Sequence, residues 1–151
     1  LEAHRSYVVE ESRPELTYQL IAEKLDEGYR GLVFSRSNPN SVREKIPGRK
    51  ADIYWLTEHE SKKGRTVPPS LEKIVMLSED HMRLDGPSIV VLDDLHYLIS
   101  NATFEGVVRF LRAMVDTVSE RQAIFVVSLS PESLRPQERS IIERELEPVR
   151  P

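Results

Sequence analysis

Asp93 and Asp94 have the clearest chemical potential in this sequence. They close the apolar run Ile89-Val90-Val91-Leu92, and an acid at the end of such a strand is where phosphate-handling enzymes hold magnesium. A second reading is structural: a carboxylate at a strand end that accepts hydrogen bonds from the following turn. The magnesium reading needs a companion, the glycine-rich loop with a GxxxxGK spacing whose backbone N–H groups cradle phosphates. That spacing occurs nowhere in the chain. The turn after the first β-rich run, Glu11-Ser12-Arg13-Pro14, holds neither glycine nor lysine, and Glu10 and Glu11 there repel phosphate.

Other catalytic arrangements are thinner still. His4, His59, His81 and His96 are scattered, without the spacing of a zinc site. His96 lies within local hydrogen-bonding reach of Asp94, and reads as a helix-starting or half-buried histidine. No serine sits in a GxSxG elbow. A phosphoacceptor receiver domain has its acidic pair at the first strand's end, and the fifth strand here lacks the lysine that should follow it. The absence of cysteine removes disulfides, thiol catalysis and cysteine-held metals. Tyr54, Trp55, Tyr97 and Phe104 read as core or rim packing.

The elements that must position these residues can be read from periodicity. β-rich runs occur at Tyr7 to Glu11, Gly31 to Ser35, Asp52 to Thr57, Ser88 to Leu92 and Ala123 to Val127. A helix opening at Pro14 carries Leu16, Leu20, Ile21 and Leu25 and stops at Gly28. Ser70 is an expected N-cap for a helix with Leu71, Ile74, Val75 and Leu77. Phe104, Val107, Val108, Leu111, Met114, Val115 and Val118 form the stripe of another. A terminal helix is expected over Pro136 to Glu147. Between Arg36 and Arg65 the chain reads as loop outside the strand around Ile53, with Asn38-Pro39-Asn40 as a turn.

Strands alternating with helices predict a three-layer α/β domain with a mostly parallel sheet of about five strands and right-handed crossovers. The uninterrupted apolar run before Asp93 implies burial on both faces. In such sheets, ligands bind outside the carboxyl ends of the strands. The candidate edge is therefore Glu10, Glu11, Ser35, Arg36, Thr57, Asp93, Asp94 and Ser128. A second candidate is a basic patch of Arg43, Lys45, Arg49, Lys50, Lys62, Lys63 and Arg65. Residues 36–65 hold eight bases against four acids, while the whole chain of 151 residues is at −4. That balance excludes a generally basic nucleic-acid binder, and the patch reads as a solvated loop before a nucleic-acid groove. With 39% hydrophobic and 30% charged residues the chain is globular rather than disordered. The longest apolar run is five residues, too short to cross a bilayer. The opening residues show no secretory signal.

Several fragments together resemble a known family. They are Tyr7-Val8-Val9-Glu10-Glu11, Gly31 to Arg36 with Asn38-Pro39, Trp55-Leu56-Thr57, Val90 to Ile99, Asn101 with Phe104, Ser130-Pro131 with Leu134, and Glu143-Arg144-Glu145. In this order they resemble the archaeal family known as domain of unknown function 835, over nearly the whole chain. The resemblance implies a P-loop-ATPase-like scaffold, similar to recombinase-type ATPases but without the phosphate loop. It also implies a signalling or regulatory setting, since family members occur beside sensor or membrane segments. The family form has a glycine and a glutamate where this chain has Asp94 and His96, so it assigns neither a metal role.

The expectation is a cytoplasmic, non-catalytic regulatory or protein-interaction module spanning 1–151. It would be a single domain excised from, or equivalent to part of, a larger archaeal protein, binding a protein partner or a second copy and needing no cofactor. The alternatives are a nucleotide- or anion-binding enzyme using Arg36 and Asp93, and nucleic-acid binding through residues 36–65.

Overall fold

A computed structural model of the chain describes residues 1–59 and 64–150. Its strands are β1 (Ser6–Glu10), β2 (Arg30–Ser35), β3 (Ala51–Leu56), β4 (Thr66–Val67), β5 (Ser88–Leu92), β6 (Ala123–Leu129) and β7 (Glu147–Val149). They form one sheet in the order β4-β3-β2-β5-β6-β1-β7. Every neighbouring pair is parallel.

Parallel pairing forces each connection to cross a face of the sheet, so the faces must be covered. Six α-helices among the described residues do this: α1 (Glu15–Asp26), α2 (Pro39–Lys45), α3 (Leu71–Met82), α4 (Leu95–Asn101), α5 (Phe104–Ser119) and α6 (Pro136–Glu145). Strand side chains alternate between two separate cores. Tyr7, Val9, Val33, Val91 and Val126 meet Tyr18 and Ile21 of α1 and Val42 of α2. Val8, Phe34, Leu92 and Phe125 meet α3 to α6 through residues such as Ile74, Leu98, Leu111 and Ile142. All five residues of β5 are buried, as its unbroken apolar run requires. Along α5 the stripe Val107, Leu111, Met114 and Val118 is fully buried, each side chain contributing about 1.5–3 kcal/mol of transfer free energy.

Local signals explain the helix limits. Ser70 Oγ accepts from the Lys73 N–H at 3.3 Å, and Thr103 Oγ1 from the Gly106 N–H at 3.0 Å. After α1 the chain turns through Gly28 at φ +95°, a conformation that side chains other than glycine's resist.

Three expectations need correction. The sheet has seven strands, not about five. β4 is two residues long, and β7 contains Glu147 and Pro148, so neither has a pattern that periodicity can detect. The 36–65 segment is less loop-like than its polarity suggests. Asn38 Oδ1 accepts from the Asn40 N–H at 2.9 Å, and Pro39 opens α2, so the apparent turn is a helix start. The short helix α4 opens at Leu95, in keeping with the reading of His96 as helix-starting. Finally, α6 ends at Glu145, because the residues that follow leave it to pair with β1.

The chain leaves β2 toward α2 on one face, and leaves the adjacent β5 toward α4 on the other. The carboxyl ends of β2 and β5 therefore flank a topological switch point. The same divergence recurs between β6 and β1. No helix of the described residues is long and apolar enough to cross a membrane.

Candidate functional site

Asp93 follows β5 directly at the β2–β5 switch point and is 7% exposed. Its Oδ2 accepts from the Tyr18 hydroxyl at 2.7 Å and from Ser35 Oγ in a short contact. Oδ1 accepts from the Arg36 backbone N–H at 3.2 Å. β5 therefore supplies the carboxylate, β2 supplies two donors, and α1 reaches over the sheet with the third. Burial pushes the Asp93 carboxyl above the usual carboxylate range, against hydrogen bonds from Ser35, Tyr18 and Arg36 and the charge of Lys45. Burial and the neighbouring carboxylate raise Tyr18 far above an ordinary phenol. The cluster is a polar knot in which both Asp93 oxygens already accept hydrogen bonds. Among the described residues no group of three metal-ligating side chains gathers anywhere.

Asp94 turns the other way. Its Oδ1 accepts from the Tyr97 N–H at 3.1 Å and so caps α4, the structural role expected for a strand-end acid. His96 does not bond to Asp94; its Nε2 lies 3.3 Å from Ser100 Oγ.

Arg36 is exposed, yet its guanidinium is engaged. It lies over the Tyr97 ring, 4.0 Å from the centroid, and donates to the Leu56 carbonyl. The Trp55 indole N–H donates in turn to the Arg36 carbonyl at 3.1 Å. Arg36, Trp55 and Tyr97 thus make a ledge beside the Asp93 knot, from β2, β3 and α4.

The two glutamates after the first apolar run diverge. Glu11 Oε1 accepts from the Leu16 N–H at 2.8 Å, and Oε2 accepts from the Thr17 N–H at 3.0 Å and Thr17 Oγ1 at 2.6 Å. The amino end of α1, where a phosphate would sit on a P-loop scaffold, already holds the chain's own carboxylate. Glu10 is 5% exposed and accepts from Arg139 Nε at 2.5 Å and Arg150 Nε at 3.3 Å. Arg150 Nη2 also donates to Glu143 at 2.6 Å, tying the residue after β7 to α6.

Of the remaining edge candidates, Thr57 is buried just past β3 and its Oγ1 accepts from the His59 N–H at 3.2 Å, while Ser128 is buried within β6. The edge positions line up as the parallel sheet demands, and Asp93 gathers the Tyr18 and Ser35 hydroxyls and the Arg36 backbone N–H. The basic patch divides: Arg43, Arg49 and Lys50 line one cavity, which Lys45 and Arg65 do not. Arg49 forms a two-point bridge to Asp26 at 2.8 and 2.9 Å. Arg65 pairs with Asp52 at 2.9 Å, Lys45 lies over the Tyr18 ring at 4.9 Å, and Arg43 donates to Asn40 at 2.9 Å. Lys50 is exposed; Lys62 and Lys63 lie outside the described residues.

The model of a family described as protein of unknown function (DUF835) matches residues 10–146. The chain belongs to this family. The DUF835 match takes in Tyr18, Ser35, Arg36 and Asp93 and stops at Leu146, ahead of β7. A solved structural-project protein from the archaeon Pyrococcus horikoshii OT3 is similar to this DUF835 chain, with a TM-score of 0.66. The likeness covers 99% of this chain and 83% of that one at 17% identity, and is one of fold. No curated protein matches.

Sequence reasoning missed Tyr18, Arg139 and Arg150. Tyr18 had a usable signal: its spacing of three to Ile21 and seven to Leu25 places it on the inward face of α1. The two arginines had none, since their partner Glu10 is remote in sequence.

Proposed function

We propose that this DUF835 chain is a non-catalytic regulatory and protein-interaction module on a degenerate ATPase-like scaffold. The observation that carries this reading is the self-filled switch point. Asp93, where such a scaffold would hold magnesium, spends its oxygens on Tyr18, Ser35 and Arg36. Glu11 occupies the helix end that would receive phosphate. A nucleotide would have to break a buried hydrogen-bonded carboxylate cluster and displace a tethered anion before it made one contact.

The Arg36–Trp55–Tyr97 ledge supplies the partner surface in this reading. Arginine, tryptophan and tyrosine are the residue types that dominate binding energy at protein interfaces, and here Arg36 contacts both Trp55 and Tyr97. Arg36 is poorly placed as a phosphate ligand, because its guanidinium is held by an aromatic face and a carbonyl.

Isothermal titration with magnesium and ATP, beside a turnover assay, tests the proposal. The expected outcome is no heat of binding and no hydrolysis. Micromolar affinity or turnover would sink it.

A further inference from the structure

A cavity of about 500 Å³ lies at the opposite end of the sheet from Asp93, at the amino ends of β2 and β3. We propose that it binds a small organic anion with an apolar body and a hydroxyl or amino donor. The volume suits a metabolite-sized molecule.

The cavity holds three kinds of contact in one place. Ile46 and Ile53 are buried core residues at its floor, and Leu84, at 58% exposure, is one of the few large apolar side chains left open to solvent. Arg43 and Lys50 on the rim have no carboxylate partner among the described residues. The other two bases there are already committed. Arg49 is bridged to Asp26, and the Arg30 guanidinium donates to four carbonyls, of His81, Leu84, Asp85 and Gly86.

The third contact is the second ring nitrogen of a buried histidine. The His81 side chain is 6% exposed and lines this cavity. Its Nε2 lies 3.0 Å from the Arg30 carbonyl, and a carbonyl can only accept, so the proton resides on Nε2. Nδ1 then carries a lone pair, with Oδ2 of Asp52, another residue lining the cavity, at 4.0 Å. Burial holds the ring in its neutral form by lowering its proton affinity. Two acceptors at that separation call for a donor between them, while Arg43 and Lys50 call for negative charge. A ligand carrying a carboxylate or phosphate and a hydroxyl or amine answers both, with its carbon frame on Ile46, Ile53 and Leu84.

The test uses the aromatic sulfonate 8-anilinonaphthalene-1-sulfonate, an organic anion with one N–H donor, in a fluorescence titration of the folded chain. Competition with 4-hydroxyphenylacetate and with inorganic phosphate distinguishes carboxylate from phosphate recognition. The expected result is saturable binding, weakened about tenfold or more by Lys50→Glu and by Leu84→Asp. The control Lys73→Glu, an equal charge change on the exposed face of α3, should leave it unaltered. Lys50 and Leu84 are exposed, so circular dichroism should show both variants folded. Absent saturation, or equal weakening by Lys73→Glu, would overturn the proposal. This outcome is independent of magnesium–ATP binding at the other end of the sheet.

Discussion

The Tyr18 hydroxyl donates to Asp93 Oδ2 at 2.7 Å although 75 residues separate them in sequence. This bond joins α1 to the residue that follows β5. It also ties local structure to long-range packing: α1 must dock on the sheet before the carboxylate can be buried at tolerable cost.

Tyr18→Phe keeps the ring and deletes the bond. We expect it to lower unfolding stability by about 1.5–3 kcal/mol, the range for a hydrogen bond to a charged group. The folded-state pKa of Asp93 is already raised, so its ionisation costs stability as pH climbs past the unfolded value near 3.8. Losing a donor raises it further, so the deficit should be greater at pH 7 than at pH 4. Urea denaturation at the two pH values measures this. Ser35→Ala should combine non-additively with it, since both donors meet the same oxygen.

His81 should make stability depend on mild acid. Burial lowers its folded-state pKa below the ordinary 6.5, so the unfolded chain takes up the proton more readily. Stability is then intact above that value and declines as pH falls through it. His81→Gln keeps a side-chain N–H for the Arg30 carbonyl and removes the titration. Its melting temperature should change less than the parent's between pH 7.5 and pH 5; equal slopes would assign the acid sensitivity elsewhere.

Glu11→Ala should cost about 0.5–2 kcal/mol, as for other lost helix caps. The vacated amino end of α1 would regain its attraction for anions. Inorganic phosphate should therefore raise the melting temperature of this variant and leave the parent nearly unmoved. An identical response from both would mean that Glu11 does not screen that helix end.

Arg139→Ala and Arg150→Ala both take a donor from buried Glu10, but not equally. Arg139 makes the shorter contact, 2.5 against 3.3 Å, and its side chain is less exposed, 36% against 61%. Leaving a buried acceptor short of a donor costs about 1–3 kcal/mol, so Arg139→Ala should fall in that range and Arg150→Ala near or below its lower end. Chemical denaturation of the two variants checks the order.

The central strands and α5 were legible because burial on both faces, or on one stripe, writes itself into residue choice. β5 is all apolar, and α5 repeats its buried positions at three and four. The edges were not legible. β7 owes its existence to hydrogen bonds from β1 rather than to its own Glu-Pro-Val sequence, and α2 was hidden because Asn-Pro serves a turn and a helix start equally well. For the site, the parallel order of strands was enough to align Ser35, Arg36 and Asp93 at one edge. The Tyr18 contact was out of reach, since it depends on how far α1 leans over the sheet.

Both borders of the sheet are blunt: two residues in β4 on one side, and three with a central proline in β7 on the other. A stub and a strand missing an amide donor make poor templates for further chains. Ribbon-like stacking between neighbouring molecules is thereby discouraged, and any association must be built from side chains on the helical flanks or the strand tips.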